Sequence, residues 1–310
     1  MEESERLLEF VLSKSLELKI DRLEILGDLA DTHSILRLEV LEFWQKWFNI
    51  LYENKIETFV LRGNHDVGGS YENEYTWLEA FKHLNSYINI ITEPTVSQGF
   101  GYLPYIHNNQ EFIEEANHLI NQGANVLVSH TSYEGASYDN GCPITGAVSA
   151  DLIDSRFLHM ISGHIHTEFE MGRVWYPGTA RWLTKSCSNK RKGIWLCTHD
   201  DTGLITSKEF ISTEFVCTPI VSLVWNEGEP KPDIMKGTTT NIELVGSSDW
   251  VTEQKKELKG VSISSKITDI KKSKIRKSGR SLHDFLSNHY QAEPEKRQKL
   301  IKYLGDLNLV

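Results

Sequence analysis

Several short apolar runs of this chain end abruptly in residue types that bind metal ions. The runs are RLEILGDLAD at 22–31, TFVLRGNHDV at 58–67, VLVSH at 126–130 and MISGHIHTEF at 160–169. Their carboxylates, amide oxygen and imidazoles form a mixed donor set that suits Mn²⁺, Fe²⁺ or Zn²⁺ rather than Ca²⁺. Two such ions about 3.5–4 Å apart clamp a phosphate and activate a water for in-line attack. The candidate side chains are Asp28, Asp31, Asn64, His65, Asp66, His130, His164 and His166.

Each candidate side chain follows a segment that reads as a β-strand. The predicted strands are Leu23–Leu26, Glu57–Leu61, Asn125–Ser129 and His159–Ser162. In an α/β sheet the carboxyl ends of neighbouring strands meet at one edge, where such folds bind their ligands. The sequence therefore predicts that these side chains converge.

The remaining pattern predicts helices between the early strands and hairpins later. Helical spacing of apolar residues covers 2–19, 35–52 and 111–122, and further strands are expected at Arg173–Tyr176 and Gly193–Thr198. This order predicts a layered α/β β-sandwich flanked by helices. The predicted domains are 1–212 for this layered domain, 213–280 for a small α+β capping region and 281–310 for C-terminal helices.

Composition narrows the class of protein. The 310 residues are 39% hydrophobic, and no apolar run is long enough for a membrane span. Four cysteines without a C-x-x-C pair suit a reducing compartment. We therefore expect a cytoplasmic protein.

Charge is distributed unevenly along the chain. The net charge is −10, but residues 1–254 carry −18 whereas 255–280 carry ten basic and two acidic residues. A basic segment on an acidic body can face a polyanion, or it can be a solvated surface. The candidates for contact with a polyanion in this segment are Lys271, Lys272, Lys274 and Arg276.

The ordered motifs resemble those of the calcineurin-like metallophosphoesterases. That signature runs D-x-H, G-D-x-x-D, G-N-H-D/E, a lone His and G-H-x-H, and the resemblance covers about the first 212 residues. It implies that Asp28 bridges two metal ions and that His65 is the general acid, oriented by the carboxylate of Asp31. It also implies that Asn64, His130 and His164 complete one metal site and that His166 belongs to the other.

The sequence at 172–211 indicates a particular subgroup of this family. It looks like the corresponding part of SbcD-type exonucleases and their phage recombination-nuclease relatives. This resemblance implies a two-metal DNA exonuclease/endonuclease subunit of recombination and double-strand-break repair, using Mn²⁺, with Fe²⁺ or Zn²⁺ as alternatives. It further implies a capping domain and C-terminal helices that dock on an SMC-like ABC ATPase.

The first family motif, D-x-H, has no counterpart in the sequence. The family places it on a strand before the first helix, and this chain begins at that helix. Asp31-Thr32-His33 has the right letters, but Asp31 already closes G-D-x-x-D. We expect either that the chain starts inside a longer gene product or that it is a pseudoenzyme, which leaves the activity of this exact chain in question.

Other readings stay open at this stage. The chain can be a phosphodiesterase or phosphatase for small molecules or phosphoproteins, or a non-catalytic scaffold that binds DNA ends and the ATPase. Tyr176, Arg181 and Trp182 are candidates for nucleotide contact, and core packing also explains the two aromatic residues.

The apolar face of 35–52 is a candidate homodimer surface, and burial in the core explains it equally well. Its residues are Ile35, Leu38, Leu41, Trp44 and Phe48.

Overall fold

The computed structural model describes residues 2–31, 35–70 and 73–268. Within these ranges the helices are α1 (Glu2–Leu18), α2 (Leu38–Glu53), α3 (Asn109–Asn121) and α4 (Ser248–Glu257). Short 3₁₀ turns lie at Trp77–Phe81, Ala150–Leu152 and Lys185–Cys187.

The strands in chain order alternate with these helices at first and then follow one another directly. They are β1 (Arg22–Ile25), β2 (Glu57–Leu61), β3 (Val67–Ser70), β4 (Asn73–Thr76), β5 (Ile88–Ile91), β6 (Thr95–Ser97), β7 (Phe100–Leu103), β8 (Val126–Ser129), β9 (His159–Ser162), β10 (Phe169–Met171), β11 (Val174–Tyr176), β12 (Gly193–His199), β13 (Ile205–Ser212), β14 (Ile220–Asn226), β15 (Thr239–Gly246) and β16 (Ser262–Ile267).

Two sheets form the centre of the first compact unit, which comprises residues 1–223 and 233–241. One is a parallel three-stranded sheet in the order β1-β2-β5, with β1 at its edge. The other has six strands in the order β10-β11-β9-β8-β7-β6, and its central strands β11, β9, β8 and β7 are parallel. β12 pairs with β13 in a long hairpin, and β3 with β4 in a short one.

Apolar side chains of the two sheets meet in a core between them. Phe59 of β2 stacks on Tyr102 of β7 with ring centroids 4.9 Å apart. β8 is buried at every position, as expected for a strand covered on both faces. The facing residues form one cluster: Phe59, Leu61, Ile91, Phe100, Tyr102, Val126 and Val128.

Helices cover the outer faces of both sheets. Phe48 and Leu51 of α2 pack with Val60 and Ile88 of the three-stranded sheet. On α3, Phe112 and neighbouring apolar residues pack against the six-stranded sheet. The predicted layered α/β fold, a β-sandwich flanked by helices, is confirmed.

Local signals explain where these helices begin and which face they bury. The side chain of Asn108 accepts hydrogen bonds from the N–H groups of Gln110 and Glu111, which caps the first turn of α3. In α2, buried Phe43, Trp47 and Leu51 recur at helical spacing. The residues of the predicted dimer face differ in exposure. Phe48 is fully buried, whereas Leu38 and Ile35, which precedes the helix, are 75% and 71% exposed. A homodimer through this face stays a prediction.

The second compact unit comprises residues 224–232 and 242–310, of which the structure describes the part up to 268. Its elements are α4, β16 and the later residues of β14 and β15, which align in the order β14-β15-β16. Ser247 caps α4 by accepting a hydrogen bond from the N–H of Trp250. The predicted domain boundaries stay predictions, and the helices expected at 281–310 lie outside the described residues.

Within residues 2–31, 35–70 and 73–268, no helix combines the length and the apolar character needed to cross a bilayer.

Candidate metal centre

Four of the predicted ligands lie just after the carboxyl ends of parallel strands. Asp28 follows β1, Asn64 follows β2, His130 follows β8 and His164 follows β9. β1 and β2 are parallel neighbours, as are β8 and β9, so each pair of loops leaves its sheet at the same edge. The packing of the two sheets brings the two pairs together.

These four side chains form the first ligand group. The Asn64 Oδ1 atom lies 2.8 Å from His164 Nδ1 and 3.0 Å from His130 Nε2. His130 Nε2 is also 3.2 Å from Asp28 Oδ2. One ligand atom each from Asp28, His130 and His164 falls within 4.8 Å of the others. Lone-pair atoms that converge in this way fit a divalent cation of the Mn²⁺, Fe²⁺ or Zn²⁺ class.

The ring of His130 is held in one orientation by the main chain. Its side chain is 1% exposed, and Nδ1 donates a hydrogen bond to the carbonyl oxygen of Leu26 at 2.6 Å. Because a carbonyl oxygen only accepts, the hydrogen is on Nδ1 and the lone pair is on Nε2, which faces the group. This second contact is typical of metal-binding histidines.

Two ligands have backbone conformations that residues other than glycine rarely adopt. Asp28 has φ 58° and His164 has φ 71°, both in the left-handed region. Such conformations cost about 1–3 kcal/mol each and cluster at functional sites. The carboxylate of buried Asp66 holds the loop of Asp28 in place. It accepts hydrogen bonds from the N–H groups of Asp28, Leu29, Ala30 and Gly63.

The same loops approach each other so closely that only glycine fits. A Cβ atom on Gly163 would overlap the carbonyl oxygen of Leu26 and lie 2.8 Å from His130 Nδ1. A Cβ atom on Gly63 would overlap the carboxylate of Asp28. Glycine at these positions therefore lets the ligands reach one another.

The electrostatic environment of this group favours, at neutral pH, the protonation states in which its residues bind a metal ion. Burial raises the pKa of Asp28, but its polar contact with His130 and the hydrogen bond from the His65 N–H together outweigh it and lower the pKa to about 2. Burial and neighbouring His130 lower the pKa of His164 to about 4. Asp28 is therefore ionised and His164 neutral at pH 7, as metal binding requires.

His166 lies in a second ligand group with Asp139 and Cys187. Its Nδ1 atom is 3.3 Å from Asp139 Oδ2, and the thiol of Cys187 donates to the same oxygen at 3.4 Å. The hydrogen bond to Asp139 raises the pKa of His166 to about 9. Burial raises the pKa of Cys187, but the hydrogen bond with His166, the backbone hydrogen bonds from Leu183 and Thr184 and the charge of Lys192 together outweigh it and lower the pKa to about 7.

A family profile matches the part of the chain that carries these groups. The calcineurin-like phosphoesterase profile aligns with residues 2–168, more than half of the chain. The chain belongs to the calcineurin-like phosphoesterase family. No curated protein sequence matches it significantly.

Membership of the calcineurin-like phosphoesterase family gives the first group a chemical context. The family is hydrolytic and uses divalent metal ions, and the donor set of Asp28, Asn64, His130 and His164 fits such an ion. The identity of the metal and of the substrate is not fixed by the family.

His65 borders the first group through its main chain and its ring. Its N–H donates to Asp28 Oδ1 at 2.8 Å. The ring Nδ1 lies 2.8 Å from the main-chain carbonyl oxygen of Asp31, so the contact that the structure gives is to that carbonyl. The predicted orienting role of the Asp31 carboxylate stays a prediction.

The structure distributes the candidate substrate residues over different environments. Tyr176 is fully buried, and its hydroxyl accepts a hydrogen bond from the Tyr133 N–H at 2.7 Å. Trp182 is 8% exposed and donates to the carbonyl of Lys190. Arg181 Nη1 lies 3.8 Å from Glu3 Oε1. Both aromatic side chains thus pack inside the protein. Lys271, Lys272, Lys274 and Arg276 lie outside the described residues.

The sequence pattern places Asp66 among the candidate metal donors but does not show its structural role, and it assigns no role to Asp139 or Cys187. Asp66 was visible as the last letter of G-N-H-D, and its four backbone partners became apparent only in the fold. No sequence pattern pointed to Asp139 or Cys187, because neither belongs to a motif that accompanies G-H-x-H.

Proposed function

We propose that this phosphoesterase is the two-metal DNA exonuclease/endonuclease subunit of a recombination and double-strand-break repair machine. The convergence of Asp28, Asn64, His130 and His164 supports phosphodiester hydrolysis, since one carboxylate and three neutral donors suit a metal that binds phosphate. Mn²⁺ is the proposed metal.

In this proposal, some residues of the site bind metal ions and His65 donates a proton. Asn64, His130 and His164 would hold one ion, His166 would contribute to the second, and Asp28 would be shared by both. Bound ions of this kind activate the attacking water and neutralise the charge that develops on the phosphate. His65 would give its proton to the leaving sugar oxygen. Its Nδ1 is committed to the Asp31 carbonyl, so Nε2 is the atom that carries the transferred proton.

DNA as the substrate is supported by the basic segment and by the resemblance of 172–211 to SbcD-type exonucleases. Residues 255–280 carry ten basic side chains against two acidic ones, which suits a phosphate backbone. We propose that Lys271, Lys272, Lys274 and Arg276 contact DNA and that 281–310 docks on an SMC-like ABC ATPase. The proposed location is the cytoplasm, which the cysteine usage supports.

Parallel assays on two substrates test this proposal. The protein, with its ATPase partner and Mn²⁺, is expected to degrade linear duplex DNA and to hydrolyse bis-p-nitrophenyl phosphate. Hydrolysis of the small ester without any cleavage of DNA would favour the alternative of a small-molecule phosphodiesterase or phosphatase.

Metal content distinguishes the proposed enzyme from the remaining alternative, a non-catalytic scaffold. A non-catalytic scaffold would bind DNA ends and the ATPase while retaining no metal ion after dialysis. Two bound ions per chain, measured by elemental analysis, would exclude that reading.

A further inference from the structure

We propose that the loop at 181–192, which joins β11 to β12, binds a phosphate group next to the scissile one, with Lys185 as the binding cation. Five of the twelve residues of this loop are basic and none is acidic: Arg181, Lys185, Lys190, Arg191 and Lys192. The chain that carries the loop is otherwise acidic, with a net charge of −18 over residues 1–254. A concentrated run of positive charge on such a chain favours an anionic ligand.

The middle of this loop lies beside the candidate metal centre. Cys187 is fully buried, and its thiol donates to Asp139 Oδ2 at 3.4 Å. The same carboxylate oxygen is 3.3 Å from Nδ1 of His166. Lys185 precedes Cys187 by two residues, a span of at most roughly 7 Å. The long Lys185 side chain can therefore reach a phosphate that neighbours the one bound at the metal centre.

Groups of the protein already contact the other four basic side chains of the loop. These partners are the carbonyl of Asp139 for Lys190, the carbonyl of His166 for Lys192, the carboxylate of Glu168 for Arg191 and that of Glu3 for Arg181. Lys185 differs from them because it is exposed and, within residues 2–31, 35–70 and 73–268, its Nζ forms no hydrogen bond or ion pair. Its charge is therefore available to an external anion.

Two hydroxyl groups flank Lys185 in the sequence. Thr184 Oγ1 and Ser186 Oγ lie 2.6 Å apart, and both residues are exposed. Lysine and hydroxyl side chains are among the donors that contact phosphate oxygens in protein–DNA complexes, and such contacts position the DNA without reading its sequence. The loop is therefore expected to bind a phosphodiester backbone whichever bases it carries.

Both sides of the 3₁₀ turn at Lys185–Cys187 are anchored, so the lysine projects from a fixed backbone. The Trp182 indole is 8% exposed and donates to the Lys190 carbonyl at 2.9 Å. Asn189 is joined to β14, because its Nδ2 donates to the Ser222 carbonyl and its Oδ1 accepts from the Ser222 N–H. A preorganised loop loses little conformational entropy when a ligand binds.

This inference rests on the proposed function, because it gives the same DNA substrate a second phosphate contact. The two can nevertheless fail separately. Binding of DNA by the loop is measured without metal ions and requires no cleavage, whereas the nuclease assay requires both.

Fluorescence anisotropy of a labelled single-stranded oligonucleotide tests the site, with the full-length protein in EDTA and at about 50 to 200 mM salt. Each phosphate contact contributes about 0.7 to the slope of log K against log salt concentration for single strands. We therefore expect Lys185→Gln to lower this slope by about 0.7 and to bind roughly eightfold more weakly at the lowest salt concentration. Lys185→Arg keeps the charge and is expected to retain both the affinity and the slope of the wild type.

Lys55→Gln is the matched control. It removes the charge of an exposed lysine that precedes β2, at the opposite end of that strand from Asn64, and should bind as the wild type does. Unchanged affinity and slope in Lys185→Gln, an equal loss in Lys55→Gln or no binding by the wild type would each overturn the proposal. DNA cleavage alongside any of these results would leave the proposed function standing. Binding through Lys185 without cleavage would contradict the proposed function alone.

Discussion

The side-chain oxygen of Asn64 lies 2.8 Å from Nδ1 of His164, although 100 positions separate the two residues. The same oxygen is 3.0 Å from His130 Nε2. An amide oxygen that faces two imidazole nitrogens is an arrangement that a shared cation stabilises. Asn64 therefore connects the ligands of the three-stranded sheet with those of the six-stranded sheet.

Removal of this oxygen is expected to weaken metal binding. Asn64→Ala leaves His130 and His164 without their shared partner, and we expect at least about a tenfold loss of Mn²⁺ affinity by titration calorimetry. Asn54→Ala, which alters an exposed amide at the end of α2, serves as the control. Equal affinities of the two variants would contradict the placement of Asn64 in the metal centre.

His65 is expected to act on the proton and to leave the metal in place. His65→Ala should lower hydrolysis of bis-p-nitrophenyl phosphate by about 10²–10⁴-fold, the usual contribution of a general acid. Metal content should be unchanged, because the contact of His65 with Asp28 comes from its main chain. His118→Ala on α3 is the matched control. Loss of the metal ions in His65→Ala would show that the imidazole is a ligand instead.

Asp66 is expected to stabilise the whole protein as well as the site. Asp66→Ala leaves four buried or half-buried N–H groups without their acceptor, and we expect a loss of about 3 kcal/mol in the free energy of unfolding by urea titration. Metal affinity should fall with it, because Asp28 loses its support. Exposed Asp201→Ala should change neither quantity, and an equally small effect at Asp66 would refute the role.

A single methyl group at Gly163 is expected to displace His130. Gly163→Ala places a Cβ atom against the Leu26 carbonyl and 2.8 Å from His130 Nδ1, so metal affinity should fall. Gly172→Ala is the control, since no atom lies within 4 Å of its added Cβ although its φ is 56°. That variant should lose about 1–2 kcal/mol of stability from backbone strain and keep its metal affinity. Similar metal affinity in both would argue against the close approach.

Glu24 is expected to make stability depend on pH. Burial, opposed by Arg22 and by the hydrogen bond from Tyr102, raises its pKa from 4.5 to about 7. The folded protein then binds a proton that the unfolded chain has released, so the free energy of unfolding falls as pH rises from about 4.5 to 7. This fall is at most about 3 kcal/mol, because 27% of the side chain stays exposed.

Urea unfolding between pH 4.5 and 8 measures this contribution. Glu24→Gln keeps an acceptor for the Tyr102 hydroxyl and should remove the slope that Glu24 causes. Exposed Glu53→Gln should keep the slope of the wild type. Parallel curves for the wild type and Glu24→Gln would show that the carboxyl titrates normally.

The sequence by itself predicted the central strands and the positions of Asp28, Asn64, His130 and His164 just after them. Strands β2 and β9 were predicted to the residue, because their apolar runs are bounded by turn residues. The hairpin β3-β4 and helix α4 were missed. VGGS has no alternation of apolar residues, and Val251 is the buried residue of α4, which leaves no apolar stripe.

The tertiary structure alone decided which side chains meet. The resemblance to the family implied that His164 and His166 belong to the two neighbouring metal sites. In the fold, His164 faces Asn64, whereas His166 faces Asp139 and Cys187. Spacing along a loop does not fix the direction of its side chains. The left-handed backbone of His164 and the packing of three separate loops do, and both depend on contacts between residues far apart in the chain.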